Sequence, residues 1–460
     1  MFEAIFKGWL TDRSRPLMSE VVPIHPRIVD PETCLSKCTC GGEHPAPGAT
    51  LYCGEDACRI MAEDCSVSYG DQKVLLIDDP QTHEVAGADL CRQLQALGLD
   101  VESFFLPEKP HADDVTIEKV RAACQGIGLV ISVGSGTIND LGKYSAHHEQ
   151  VDFWTMPTAP SMNGYTSGIA AIKVKGVKRT LPALPPQRLY AIPSVIQQAP
   201  LKLRQAGFCD VLAKVVSDVD WRADSLLFDG SYCGLPSAMM AAVEHSYADD
   251  PEAIGAGDEE ATMGLFHGLL ISGVAMSLAG SSAPASGGEH LVSHFWDMRE
   301  PITGRVPEFH GLQVGLGIIL SAACYRRLAN CDLSCLTNRA ELTFSTTADE
   351  IPAIWGPYEA EVAQQFENKK NALLKFDKLL PQYAEQLKIL FRQVRTPEYF
   401  ADLFTRVGAP FSLEAFDLTR DEFILAALNS RAIRERITVF DLAAHAGVLE
   451  QAAEETLQLL

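Results

Sequence analysis

A chain of 460 residues, 47% hydrophobic and 21% charged, has enough apolar material for two domains and a large core, which excludes a disordered polypeptide. The formal net charge of -22 opposes binding to nucleic acid or to an anionic membrane, so an anionic substrate would need a local positive pocket. The acidity itself reads as a solubility feature.

The opening MFEAIFKGWLTDRSRPL is amphipathic but carries Glu3 and lacks an unbroken apolar core. It does not read as a secretory signal, and a cytoplasmic location is expected. Six of the thirteen cysteines crowd into the first 66 residues, at Cys34, Cys38, Cys40, Cys53, Cys58 and Cys65. Without a signal they are expected to be reduced thiols. Residues 1–66 therefore read as a cysteine-containing arm. Within it, Cys38-Thr39-Cys40-Gly41-Gly42-Glu43-His44 offers two thiolates and one imidazole to zinc, with no fourth ligand evident in the sequence.

From Asp71 the pattern alternates. Residues 74–77 read as a buried strand, 85–97 as a helix with Leu90, Leu94 and Leu97 on one face, 101–106 as a strand and 115–124 as a helix. A further apolar run, 129–133, stops at Gly134-Ser135-Gly136-Thr137, and a helix carrying Ile138, Leu141 and Tyr144 follows. This βαβα order predicts a parallel sheet covered by helices, with ligands at the carboxyl ends of the strands. Glycines before a helix let backbone N–H groups approach a pyrophosphate, although such a turn is also common as plain structure. Asp78 and Asp79 end the first strand. A carboxylate there accepts hydrogen bonds from a ribose and repels the extra phosphate of NADP, or else belongs to a solvated turn. A strand over 153–156 ends in Pro157-Thr158-Ala159-Pro160-Ser161, a polar loop placed to close over the same ligand.

Residues 172–196 read as a hairpin and connector, which puts a boundary between a nucleotide-binding α/β domain (67–196) and a helical domain (197–460). The uncharged run 264–287 has too short an apolar part to span a membrane and is broken by His267, Ser272 and Ser277, so it is expected to be a buried helix. In the helical half, Asp210 lies at what reads as the start of an apolar helix. His290 and His294 are spaced to share one helix face, and His310 precedes a glycine. One carboxylate and two imidazoles hold a divalent metal with a position left open. Taken singly, the Asp reads as an N-cap and the histidine pair as surface or core.

The two glycine-loop segments, GSGTIND and PTAPSMNGYTSG, together resemble the nucleotide-binding half of the iron-containing alcohol dehydrogenase and dehydroquinate synthase superfamily, and within it the AraM-type sn-glycerol-1-phosphate dehydrogenases. The order AGFCD, GGEHLVSH, HGLQVG, the CxCGxxH arm and the RAIRERITVFDL tail resemble the same group. The resemblance implies a dehydroquinate synthase-like fold: a Rossmann-like parallel sheet, then an all-α domain. It implies a metal-dependent NAD(P)H oxidoreductase that reversibly reduces dihydroxyacetone phosphate to sn-glycerol 1-phosphate, in glycerophospholipid metabolism. Carried over by motif, Asp210, His290 and His310 hold the metal, with zinc expected and nickel or iron as alternatives. His294 faces the substrate. Gly134, Ser135, Gly136, Thr137, Ile138, Thr158, Ser161 and Ser167 contact NAD, or NADP, with Asp79 as ribose reader. Asn163 stands where the archaeal glycerol-1-phosphate enzymes and the glycerol dehydrogenases carry a substrate-contacting Asp, a departure that leaves the polyol or its phosphate open. Lys143, Lys214 and Arg299 are the cations nominated for the phosphate. A small-molecule substrate and a homo-oligomer are expected. The competing readings are a dehydrogenase of glycerol or another polyol, a dehydroquinate synthase-like lyase, and a non-catalytic nucleotide- or metal-binding protein.

Overall fold

The computed structural model describes residues 38, 40–42, 44, 49–335 and 354–460. The opening segment and Cys34 lie outside them. Eight strands occur in the described residues: β1 (Thr50–Cys53), β2 (Lys73–Asp78), β3 (Asp100–Phe105), β4 (Ile127–Gly134), β5 (Asp152–Pro157), β6 (Ile169–Val174), β7 (Val177–Pro182) and β8 (Arg188–Ala191). Six of them form one parallel sheet in the order β1-β8-β5-β4-β2-β3, while β6 and β7 make a separate antiparallel hairpin.

The central strands KVLLID and IGLVISVG are buried along nearly their whole length, as a parallel sheet covered on both faces requires. Their side chains alternate between two cores. Val74, Leu76, Leu129 and Ile131 pack on one face with Met61 and Leu90, from the helices Ala57–Tyr69 and Ala88–Ala96. Leu75, Ile77 and Val130 pack on the other with Ile117 and Leu141, from the helices Asp114–Ala123 and Gly136–Glu149. The chain goes outward from β2 to β3 and returns on the far side of β2 as β4. The resulting crevice opens at the carboxyl ends of β2 and β4, which carry Asp78 and Gly134.

Three sequence expectations change. The division after residue 66 passes through the Ala57–Tyr69 helix, and β1 is an edge strand of the sheet, so the α/β unit begins at Thr50. Cys58 and Cys65 are buried in that helix as small apolar side chains. The helix expected over 85–97 starts earlier, at Pro80 behind an Asp79 N-cap, and runs through one π turn at His83–Gly87. The connector after the hairpin contains β8, which pairs with both β1 and β5.

The remainder is helical. The Glu259–Ala279 helix is long and apolar enough to cross a membrane, but 89% of its apolar window is buried inside the protein. It is a core helix. Asp210 sits near the end of the Leu201–Leu212 helix rather than at a helix start, His290 and His294 lie in Gly288–Thr303, and His310 opens His310–Asn330. Two glycines bring these parts together. A Cβ on Gly311 would lie 1.9 Å from the carbonyl oxygen of Ala206, and one on Gly207 would lie 1.8 Å from that of Pro160. The helix bearing His310, the helix bearing Asp210 and the loop after β5 therefore touch backbone to backbone. Gly311→Ala is expected to force them apart at a cost of about 1–3 kcal/mol, seen as a lower urea midpoint with an unchanged slope. An unchanged midpoint would mean that the contact yields freely.

Candidate active site and metal centre

A cavity of about 260 Å³ lies between the sheet crevice and the helical half. At one end the Gly136–Glu149 helix points its N-terminus inward. Ser135, its N-cap, is extended and makes no side-chain capping bond, so the first N–H groups are not taken by a cap. Ser135, Gly136 and Thr137 line the cavity with Ser161, Asn163 and Ser167. An uncapped helix end behind a glycine turn fits a pyrophosphate.

Other predicted nucleotide residues lie outside this lining. Gly134 packs against the Ile138 side chain, where a Cβ would come within 2.5 Å, and its carbonyl accepts the Thr158 N–H at 3.2 Å. Ile138 is in the core. These three shape the turn. Asp79 accepts from the Thr82 N–H at 2.8 Å and the Thr82 hydroxyl at 3.0 Å, so one of its oxygens is engaged in a capping box.

The other end gathers the metal-type donors. The ligating atoms of Asp210, His290 and His310 all lie within 4.8 Å of one another, and His290 Nε2 is 3.3 Å from Asp210 Oδ1. Each imidazole is oriented from behind. Glu289 Oε1 accepts from His290 Nδ1 at 2.8 Å and also from the Gly287 N–H at 2.7 Å, while Ser293 Oγ pairs with His310 Nδ1 at 2.7 Å. Both Nε2 atoms are thereby left for the centre. Burial by itself would raise Asp210, but Lys214 and the imidazoles of His290 and His310 hold it below the ordinary carboxylate range. Burial lowers His310 to about 3, helped by the charge of His290. An ionised carboxylate and a neutral imidazole are the protonation states that a divalent ion needs, so the donor set fits one. His294 also lines the cavity. Burial, then Arg434, push it well below its usual range, and its buried Nδ1 has no hydrogen-bond partner among the described residues.

The phosphate cations nominated from sequence are engaged elsewhere. Lys143 Nζ donates to the Gly164 carbonyl at 2.7 Å and to Ser167 Oγ at 3.3 Å, and Lys214 Nζ donates to the carbonyls of Asp210 and Ala285, each at 3.0 Å. Arg299 donates to the Ile354 carbonyl and stacks over Phe295. The cavity is lined instead by Lys178 of β7 and Arg434, with Thr180 and Ser286 beside them. Arg434 donates to Ser286 Oγ at 3.0 Å and to Thr180 Oγ1 at 3.2 Å. Burial and Arg436 lower its proton affinity, yet a guanidinium starts high enough to stay charged at neutral pH. Lys178 sits in the hairpin, where spacing gives no signal, and Arg434 in the tail motif, which is the signal that could have found it. Glu289 stands in the GGEH segment, beside a residue whose chemistry is visible in sequence while its own is not.

The glycerol-1-phosphate dehydrogenase of Halalkalibacterium halodurans is 33% identical over 305 residues, covering 64% of this chain and 75% of that protein. The enzyme of the same name from Thermococcus kodakarensis is 36% identical over 255 residues, 54% of this chain and 70% of that one. The chain belongs to the glycerol-1-phosphate dehydrogenase family. The broader iron-containing alcohol dehydrogenase family matches residues 53–200. Among solved structures, a probable glycerol dehydrogenase from Sinorhizobium meliloti superposes with a TM-score of 0.59 at 16% identity, over 89% of this chain and 98% of that one. A glycerol dehydrogenase from Schizosaccharomyces pombe gives 0.57 at 16% identity, over 90% and 91%. These two bear out the sheet-then-helices fold expected from the sequence.

In this family member, Glu289→Gln should weaken metal binding about 10- to 100-fold by loosening His290. His290→Ala should lose the metal from this centre, and His294→Ala should keep it. Metal titration with protein purified in chelator checks all three, and equal loss in the two histidine variants would overturn the division of roles.

Proposed function

We propose that this chain catalyses the reversible NAD(P)H-dependent reduction of dihydroxyacetone phosphate to sn-glycerol 1-phosphate. The observation that carries the reading is the coincidence, in one cavity, of the Asp210-His290-His310 donor set, an uncapped helix N-terminus and the cations Lys178 and Arg434. The coarse activity class follows the family. The residue roles are the proposal.

Ser135, Gly136 and Thr137 bind the cofactor pyrophosphate through backbone N–H groups, with Ser161 and Ser167 on the facing loop and Asp79 at the ribose. A nicotinamide held in this way would supply the hydride that the ketone carbon takes up. Asp210, His290 and His310 hold one divalent ion, zinc first and nickel or iron next, whose role when bound is to polarise the carbonyl. Lys178 and Arg434 bind the phosphate and fix which carbon faces the nicotinamide. His294, buried and held neutral, hydrogen-bonds a substrate hydroxyl and handles the alcohol proton. The enclosing helices exclude water, which strengthens each of these contacts. A cytoplasmic homo-oligomer is the expected working form.

The deciding experiment follows NADH oxidation with dihydroxyacetone phosphate, before and after chelation and metal add-back, and determines product chirality. Metal-dependent formation of the sn-1 isomer is expected. Activity on free glycerol alone would move the substrate to an unphosphorylated polyol. Arg434→Gln should raise KM for dihydroxyacetone phosphate about 10- to 100-fold, the value of one charged hydrogen bond, with metal content intact. An unchanged KM would remove Arg434 from the phosphate site. For the cofactor, Asp79→Gly should increase NADPH use relative to NADH, and an unchanged ratio would leave Asp79 as a helix cap only.

A further inference from the structure

The two thiols and one imidazole of the N-terminal arm meet a fourth donor that sequence spacing could not reveal. Cys38 Sγ lies 3.2 Å from Cys40 Sγ, 3.0 Å from His44 Nε2 and 3.4 Å from Cys233 Sγ, although Cys38 and Cys233 stand 195 positions apart in the chain. Cys40 Sγ is 3.0 Å and Cys233 Sγ 3.7 Å from the same imidazole nitrogen. All four ligating atoms fall within 4.8 Å of one another. We propose that Cys38, Cys40, His44 and Cys233 form a closed structural zinc site that fastens the arm to the helical half.

Three features of the cluster support a cation rather than a chance meeting of thiols. The four ligating atoms cluster within 4.8 Å, and a tetrahedral zinc with bonds of about 2.3 Å to sulfur sets sulfurs about 3.8 Å apart, close to the 3.2 Å and 3.4 Å from Cys38 to Cys40 and Cys233. The imidazole is already oriented for a metal. His44 Nδ1–H donates to the Leu278 carbonyl at 2.8 Å, which fixes the tautomer and turns the Nε2 lone pair toward the sulfurs. Backbone N–H groups already point at sulfur, Gly42 to Cys40 Sγ at 3.3 Å and Cys40 to Cys38 Sγ at 3.5 Å, an arrangement that stabilises thiolates. A disulfide does not account for the set. The cysteines are unbonded, and pairing any two would leave the third thiol and the imidazole without a purpose. Three soft sulfurs and one imidazole select zinc over the hard cations.

Its position gives the site a structural role. Cys38, Cys40 and His44 precede β1 in the chain, an edge strand that among the described residues pairs with β8. Cys233 is the N-cap of the Gly234–Val243 helix, and Leu278 lies in the last turn of the Glu259–Ala279 helix. The ion would therefore clip the entry to the sheet edge onto two helices of the other half. None of the four ligands lines the catalytic cavity.

The test uses the full chain carrying His290→Ala, so that the Asp210 centre is emptied and the result does not depend on the dehydrogenase reading. After dialysis against a mild chelator, elemental analysis should find one zinc per chain, and X-ray absorption should place sulfur at about 2.3 Å from it. The cobalt-substituted protein should show thiolate-to-cobalt charge-transfer absorption, which Asp, His and His cannot produce. Cys233→Ser should abolish that band, and His44→Ala, near the surface, should weaken it without unfolding the chain. In the unmutated protein, Cys38 and Cys40 should resist alkylation until zinc is removed. Zinc absent from His290→Ala, zinc bound only by nitrogen and oxygen, a Cys38–Cys40 disulfide in freshly purified protein, or alkylation indifferent to chelation would each overturn the proposal.

Discussion

Asp210 is a carboxylate buried where the two halves of the chain meet, and much of the surrounding structure answers the cost of burying it. An isolated ion there would lose its hydration, a penalty of several kcal/mol. The Asn163 backbone N–H donates to one oxygen at 2.9 Å and the Asn163 side-chain amide to the other at 3.0 Å. Lys214 supplies positive charge from the start of the next helix, and His290 faces the same carboxylate from the Gly288–Thr303 helix. The compensating groups come from three separate elements. Holding the charge therefore also holds the halves together.

The loop after β5 is the shared part. Its Tyr165 hydroxyl donates to the Ala159 carbonyl at 2.7 Å, closing the loop on itself, and Thr166 Oγ1 donates to the Leu270 carbonyl at 2.6 Å. Ser277 Oγ returns a bond to the Thr166 carbonyl at 3.1 Å. Ser277 is one of the residues that break the apolar run 264–287, and here it has a use: the core helix carries it to anchor the loop that carries Asn163. The cofactor loop and the donor set thus share one support, so displacement of either disturbs the other.

Much of this was legible in the sequence. The runs VLLI and LVISV identified the central strands because parallel strands covered on both faces must be apolar throughout. The pair His290 and His294 fell on one helix face as their spacing required. What failed to show has physical causes. β1 and β8 are four residues each, TLYC and RLYA, too short to display a period. The Ala57–Tyr69 helix was hidden because cysteines suggest thiol chemistry, whereas two of them serve there as small buried side chains. Lys143 and Lys214 lay near the right motifs, but burial turned them into donors to backbone carbonyls. Lys178, Arg434 and Cys233 could not be found by spacing, because the fold alone brings the hairpin, the tail and the Gly234–Val243 helix to their sites.

Asn163 shows how charge and substrate are connected. A carboxylate in its place, in the same conformation, would sit about 3 Å from Asp210 Oδ1, and two such groups cannot both stay ionised without a cation between them. The amide removes that repulsion and donates instead, so Asp210 keeps its charge through protein contacts alone. It also leaves the cavity less negative beside Lys178 and Arg434. The departure at Asn163 thus acts first on Asp210, whose charge it holds with two hydrogen bonds.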